Sequence, residues 1–269
     1  MHLDLTIPGL LLLVVILAAS ALMSGLSGFG FSAVGALCLI LVPPKLGVPL
    51  LMTLSAANQM MSLGQLKADM KPFGQWWPDG PAPYLLGGIL GVPVGLVILG
   101  SLPTLQLMGV FGSILLAYSI FSLALPGARL TIKGGDNWMT ASLVGATGGV
   151  IGGFTAFPGA PVVVWSGLRH LSKSESRAIV QPYILVLQVL AIALLALQHR
   201  ETFGATYWVL VAVTVPVVLP CTLIGVRLYR SLSDINFRRV TFVLLGLSGC
   251  GLLLKAGDLV PRVLHAFGR

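Results

Sequence analysis

The feature that most constrains this chain is a series of apolar segments joined by short polar connections. Ten such segments cover residues 5–24, 30–43, 46–64, 83–100, 105–125, 138–152, 157–168, 175–197, 206–226 and 236–255. Several are close to the roughly 20 residues that an α-helix needs to cross the hydrocarbon core of a bilayer. The sequence therefore predicts an all-α integral membrane protein with about 8–10 hydrophobic helices.

The composition supports a membrane protein over a soluble one. Only 9% of the 269 residues are charged and 56% are hydrophobic, whereas a soluble domain has about 25% charged residues. The net charge of +8 comes largely from Lys and Arg in the connections, which is typical of cytoplasmic loops. We expect the lipid bilayer as the surroundings and no nucleic acid as a partner. We also expect no cofactor and no metal, because the three cysteines lie far apart in apolar segments.

The basic residues also predict an orientation, since cytoplasmic loops are enriched in Lys and Arg. They are concentrated in the connections 65–82, 126–137, 169–177 and 227–239. Placing these connections on the cytoplasmic side puts both termini on the other side. Arg177, at the end of the third connection, is interpreted as one of these peripheral charges.

Three segments, 30–43, 138–152 and 157–168, are shorter than the others. About 13 residues at a rise of 1.5 Å reach only about 20 Å, against a hydrocarbon core of roughly 30 Å. They are predicted to be broken or re-entrant helices.

The chain also contains an internal repeat. One block recurs 124 positions later: Gly25, Gly28, Gly35 and Ala36 match Gly149, Gly152, Gly159 and Ala160. A second block recurs 130 positions later: Gly95, Ser101 and Leu102 match Gly225, Ser231 and Leu232. Between the two blocks, Gln59 is set against Gln188. Each half, 1–125 and 126–269, has five segments. Because five is odd, the halves run in opposite directions. This predicts one transmembrane domain of two inverted repeats, whose Gly-rich broken helices meet near the midplane, as in many secondary transporters.

The chemistry expected inside the membrane is neutral. No Asp or Glu falls in the middle of an apolar segment, which argues against a proton relay of buried carboxylates. An anion would then be held by backbone N–H groups at helix breaks, hydroxyls and amides. The candidate substrate-binding residues are Gly25, Ser27, Gly28, Gly30, Ser32, Asn58, Gln59, Gly152, Gly153, Thr155, Pro158, Gly159 and Gln188. Gln181 is a further amide in an apolar helix, and close helix packing is the alternative role for glycines and amides alike.

Two glycine-rich blocks carry a family resemblance. One reads Gly25-Leu-Ser-Gly-Phe-Gly-Phe-Ser32 and precedes a short helix ending Val42-Pro43-Pro44. The other reads Gly148-Gly-Val-Ile-Gly-Gly-Phe154 and precedes Pro158-Gly-Ala-Pro161. In these blocks, and over essentially its whole length, the chain resembles the TauE/SafE family of sulfite and organosulfonate exporters. The resemblance implies a transporter of the bacterial inner membrane that exports a small sulfur-containing anion such as sulfite, sulfoacetate or a related organosulfonate.

Other functions fit parts of the same pattern. An anion channel, or a transporter of another small anion such as a carboxylate, would need the same segments, and a homo-oligomer is compatible with all of these. An intramembrane enzyme with Ser27 as its nucleophile is disfavoured, because the serine would need a base within hydrogen-bond reach. The histidines lie at segment ends or in connections, away from Ser27: His2, His170, His199 and His265. A scaffold that transports nothing would leave the paired helix breaks unexplained.

Overall fold

The computed structural model describes residues 6–65, 75–124, 137–229 and 242–257. The described elements are helices throughout: α1 (Ile7–Ser27), α2 (Phe31–Gly35) with a 3-10 continuation (Ala36–Ile40), α3 (Pro44–Gln65), α4 (Ala82–Ser101), α5 (Thr104–Ala124), α6 (Trp138–Thr155), α7 (Gly159–Leu168), α8 (Lys173–Gln198), a 3-10 turn (Arg200–Phe203), α9 (Ala205–Tyr229) and α10 (Phe242–Gly257). Each helix falls on one of the ten apolar segments, so the all-α prediction is confirmed. Much of the basic connections, the repeat residues Ser231 and Leu232, and both His2 and His265 lie outside the described residues.

Five of the described helices, α1, α4, α5, α8 and α9, are long and apolar enough to cross a membrane. Their outer surfaces carry large apolar side chains: Leu90 in α4 and Leu197 in α8 are each 70% exposed. An apolar outer surface of this kind would be unfavourable in water and is suited to lipid. The chain is therefore an integral membrane protein.

The prediction of three short segments is correct for two of them. The ten residues Phe31–Ile40 and the ten residues of α7 are too short to cross a bilayer. By contrast, α6 has 18 residues and a length of about 27 Å, so its predicted end at residue 152 was wrong. The helix continues through Gly152 and Gly153 because its backbone groups bond most favourably within the helix when water is absent.

The helices pack through two close crossings, one between α1 and α9 and the other between α4 and α6. In the first, a Cβ on Gly25 would lie 3.0 Å from the Cα of Gly225. In the second, a Cβ on Gly95 would lie 2.7 Å from the Cα of Gly153. Only glycine allows the two backbones to approach this closely. Helices α3 and α8 pack against each other, and they contact α9 and α4 respectively.

The two crossings use corresponding residues and correct the predicted alignment of the halves. Gly225 lies 130 positions after Gly95, as predicted. Their partners, Gly25 and Gly153, are 128 positions apart rather than 124. The alignment of the first block was therefore wrong by four residues, which is about one helical turn.

Candidate functional site

The chain between α1 and α2 turns sharply, and we call residues 28–30 the first elbow. Gly28 ends α1 in the left-handed region, with φ 84° and ψ −4°. The Ser27 hydroxyl oxygen accepts hydrogen bonds from the backbone N–H groups of Phe29 at 3.4 Å and Gly30 at 3.1 Å. The hydroxyl therefore satisfies the backbone of the turn that follows it.

The chain between α6 and α7 repeats this construction, and we call residues 156–158 the second elbow. Ala156 ends α6 in the left-handed region with φ 59°. The Thr155 hydroxyl oxygen accepts from the N–H of Phe157 at 3.1 Å. Both hydroxyls also donate to the carbonyl four residues earlier, at 2.8 Å for Ser27 and 2.6 Å for Thr155. The elbow residues correspond at the same separation of 128 as the glycines of the crossings.

A buried glutamine secures each elbow. Gln59 in α3 donates from Nε2 to the carbonyl of Gly28 at 3.0 Å. Gln188 in α8 donates from Nε2 to the carbonyl of Ala156 at 2.7 Å. The two amides that the sequence analysis set against each other thus make the same bond at the two elbows.

Helix α8 passes both elbows within a short distance. A Cβ on Gly28 would lie 3.1 Å from Nε2 of Gln181. A Cβ on Gly159, directly after the second elbow, would lie 2.8 Å from Cδ1 of Ile184. Gln188 follows one turn further along. The contacts of α8 with the two elbows therefore fall within about three helical turns.

Arg177 does not lie at the periphery, as the sequence analysis expected. It is 6% exposed and donates from Nη2 to the carbonyls of Gly25 at 2.8 Å and Leu26 at 3.1 Å. These carbonyls belong to the last turn of α1, where the helix dipole favours a positive charge. The interpretation of a wholly neutral interior was therefore wrong: a guanidinium reaches the first elbow.

The position of Arg177 follows from the start of α8. The hydroxyl of Ser172 accepts from the N–H of Glu175 at 3.2 Å, and the Glu175 carboxylate accepts from the N–H of Ser172 at 2.9 Å. This capping box begins the helix at Lys173. Arg177 consequently lies in the second turn of α8, inside the protein.

Asn58 has a helix-tying role. Its Nδ2 donates to the hydroxyl of Ser24 at 2.7 Å, and its Oδ1 accepts from the hydroxyl of Thr222 at 2.6 Å. All three side chains are fully buried. The bonds join α1, α3 and α9, which is the geometry expected of the helix-packing alternative for buried amides.

The remaining candidates divide between packing and the elbows. Gly25 and Gly153 lie at the close crossings, and Gly152 packs on the ring of Pro158, whose Cβ would be 2.5 Å from a Cβ on Gly152. Gly30 and Ser32 lie at and just after the first elbow. Most of the predicted substrate-binding residues therefore lie at or next to one of the two elbows.

Several buried polar atoms at the first elbow have no hydrogen-bond partner within the described residues. They are Oγ of Ser32, Oε1 of Gln59 and Nε2 of Gln181. Gln181 was weighed in the sequence analysis but was not among the candidates. It is 1% exposed, so its N–H groups are withdrawn from water as well.

Catalytic and metal-binding chemistry has little to build on in the described part of the chain. No group of three His, Cys, Asp or Glu that could hold a metal ion occurs there. His170 and His199 lie at the ends of α7 and α8, and the Ser27 hydroxyl already bonds to its own backbone. The described polar groups of the first elbow include the Gln181 amide and the Arg177 guanidinium, which bind through hydrogen bonds and charge.

The long apolar helices define a polytopic membrane protein, and α8 contacts both of its elbows. The chain belongs to the TauE/SafE sulfite exporter family, whose model matches residues 11–252 of the 269. This confirms the resemblance noted in the sequence, and the match includes both elbows. Members of the family are transporters, so the family assigns transport rather than catalysis. No curated protein and no solved structure matches the chain.

Proposed function

We propose that this chain exports a small sulfur-containing anion, sulfite, sulfoacetate or a related organosulfonate, across the inner membrane of a bacterium. The observation that carries the proposal is the pair of elbows, each closed by a left-handed residue and bonded by an equivalent glutamine. Both elbows contact α8. An anion at the first elbow would meet the Ser32 hydroxyl and the Gln181 amide, whose Oγ and Nε2 atoms have no hydrogen-bond partner within the described residues.

The halves 1–125 and 126–269 act as inverted repeats in this proposal. The matched crossings and elbows support the repeat. Support for the inversion comes from α3 and α8: Gln59, late in α3, and Gln181, early in α8, both reach Gly28. Corresponding helices that meet with opposite ends together are expected of an inverted pair. The short helices α2 and α7 would then be re-entrant and meet near the midplane.

In the described part of the chain, no buried carboxylate would compete with the anion at the elbows. Among the described residues, the acids are Asp79, Glu175 and Glu201, and each lies before or after a long helix or in its first turn. A sulfonate or sulfite group has three oxygens that accept hydrogen bonds, and helix ends with nearby amides are suited to such groups. Direct coupling of transport to a membrane-embedded carboxylate is therefore not part of the proposal.

The test is flux into proteoliposomes that contain the purified full-length chain, comparing sulfite, sulfoacetate, sulfate and chloride. We expect uptake of a sulfur oxyanion above that of protein-free vesicles. Stimulation of uptake by the same anion on the opposite side would indicate a carrier rather than a channel. If neither sulfite nor sulfoacetate moves, with or without ion gradients, the proposed substrate class is refuted.

The role of the elbows is tested in the same assay with Gly28→Leu and Gly152→Leu. A side chain at Gly28 would displace Arg177 and Gln181, and one at Gly152 would displace Pro158. Both variants should lose flux while still inserting into the membrane. Gly100→Leu is the matched control, because a Cβ there meets nothing within 4 Å. Normal flux in both elbow variants would contradict the proposed site.

A further inference from the structure

The amide of Gln181 is the least explained polar group of the first elbow. Its Nε2 is buried, has no acceptor within the described residues, and lies 3.1 Å from the place a Cβ of Gly28 would take. An amide withdrawn from water without a partner is unfavourable. Its retention at the elbow is explained if an acceptor arrives there during the protein's activity.

Arg177 places a positive charge next to this amide. It lies one helical turn before Gln181 on α8, and its Nε is 2.7 Å from the same Cβ position on Gly28. Its guanidinium is positioned by the bonds of Nη2 to the carbonyls of Gly25 and Leu26. The first elbow thus joins an amide donor with a cation that stays charged at any physiological pH.

The second half of the chain supplies this pair, and the first half has no counterpart. Gln188 corresponds to Gln59 at a separation of 129, and at that separation Arg177 and Gln181 correspond to Val48 and Met52. Both Val48 and Met52 are buried and apolar. The repeated backbone therefore carries an anion-binding pair of side chains at only one of its two elbows.

We propose that Gln181 and Arg177 form the anion-contacting wall of the first elbow, with Gln181 Nε2 donating a hydrogen bond to a substrate oxygen and Arg177 supplying the charge that selects an anion. The proposal rests on the proposed function, since it names residues that bind the same substrate. It adds that binding is one-sided: the second elbow shapes the path but does not supply the charge.

The experiment measures equilibrium binding to the detergent-purified full chain by calorimetry. The probes are methanesulfonate and dimethyl sulfone, which have similar shape but differ in charge. The wild type should prefer methanesulfonate. Gln181→Met keeps the side-chain volume and removes the donor, and we expect the Kd for methanesulfonate to rise about tenfold or more, because hydrogen bonds to charged groups are the stronger ones. Gln106→Met is the matched control, because Gln106 is exposed on α5.

Arg177→Lys keeps a positive charge but loses the planar guanidinium, which is not a conservative change at a site with defined geometry. The Kd for methanesulfonate should rise, with a smaller change for dimethyl sulfone, and a purely structural role would weaken both probes equally. Arg177 also supports α1, so loss of folding is one expected hazard of this variant. Gln181→Met leaves the Arg177 bonds in place and keeps the proposal testable.

The outcomes separate this inference from the proposed function. If the wild type binds and transports a sulfur oxyanion but Gln181→Met binds methanesulfonate with unchanged Kd, the assignment of the first elbow is overturned and the proposed function stands. If the wild type neither binds nor transports any of the sulfur anions, both fall. A selective rise of the Kd in Gln181→Met, with no change in Gln106→Met, supports the assignment.

Discussion

Replacing Gly28 by Ala isolates the cost of a side chain at the first elbow. Gly28 has φ 84° and ψ −4°, a conformation that costs a residue with a Cβ about 1–2 kcal/mol. The new Cβ would also lie 2.7 Å from Nε and 3.2 Å from Cγ of Arg177, so the arginine must move. Arg177 bonds to two carbonyls of α1, and weakening one bond from a charged group costs about 1.5–3 kcal/mol. The sum is about 2.5–5 kcal/mol.

The second elbow provides the matched comparison. Ala156 already has a Cβ in the left-handed region, with φ 59°. Ala156→Gly relieves about 1–2 kcal/mol of backbone strain, but the added flexibility of glycine opposes this by about 0.5–1 kcal/mol. The stability of this variant should therefore change by about 1.5 kcal/mol or less. The same exchange, made in opposite directions at corresponding positions, should have unequal effects.

The assay is the apparent melting temperature of the purified protein in detergent, followed by size-exclusion chromatography, together with sulfite flux in proteoliposomes. Since heating of membrane proteins is commonly irreversible, variants are compared at one heating rate. Gly28→Ala should melt at a clearly lower temperature and transport less, whereas Ala156→Gly should stay close to the wild type. A Gly28→Ala protein as stable and active as the wild type would refute the reasoning about the left-handed elbow and its arginine.

Three further predictions concern buried polar ties and close packing. Asn58→Leu removes two hydrogen bonds between helices and should destabilise the protein by about 1–3 kcal/mol, seen as a lower melting temperature; an unchanged value would contradict the tie. Gln59→Met and Gln188→Met each remove one bond to an elbow carbonyl and should cost similar amounts, about 1 kcal/mol; a loss in only one would argue against their equivalence. Gly153→Val should abolish the monodisperse peak in size-exclusion chromatography, because its Cβ would lie 2.7 Å from the Cα of Gly95; a normal peak would disprove the close crossing.

The number and approximate limits of the helices could be predicted because apolar length is a local property of the sequence. The end of α6 could not, because Gly152 and Gly153 were taken as the break. In a bilayer, glycine does not by itself end a helix, since unbonded backbone groups there have no water to replace their partners. The helix ends at Ala156, whose left-handed conformation is imposed by the fold and has no local signal in an alanine.

The predicted offset of 124 residues in the first block differs from the separation of 128 at the crossings and elbows, because glycines spaced by three occur at 25 and 28 and again at 149 and 152. Matching by glycine alone selects this spacing. The structural likeness lies in Ser27-Gly-Phe29 and Thr155-Ala-Phe157, where a hydroxyl two residues before a phenylalanine accepts from its N–H. The residue types that bond to the turn would have been a better basis for aligning the two halves than the glycines.

Arg177 was misplaced for a reason that the sequence contains. Ser172 and Glu175 have the spacing of a capping box, which places Arg177 inside a helix and not in the connection before it. Four residues later on the same helix comes Gln181. Arg177 therefore lies in the second turn of a helix, one turn before a buried amide, and not in a loop. This signal separates Arg177 from the other basic residues of its connection.

The two halves share a backbone plan but differ in the side chains they place on it. Ser24, Asn58 and Thr222 form a polar cluster beside the first crossing. At the measured separations their counterparts are Gly152, Leu187 and Val92, which have no polar side-chain atoms. An oxyanion moving from the first elbow towards the second would also leave Gln181 and Arg177, whose counterparts Met52 and Val48 are apolar, and loss of hydrogen bonds to a charged solute is costly. On the proposal made above, the first elbow is the binding region and the apolar surroundings of the second elbow are the barrier. Polar substitution of Leu187, for example Leu187→Asn, should then lower that barrier and raise the leak of chloride in the proteoliposome assay, whereas an unchanged leak would place the barrier elsewhere.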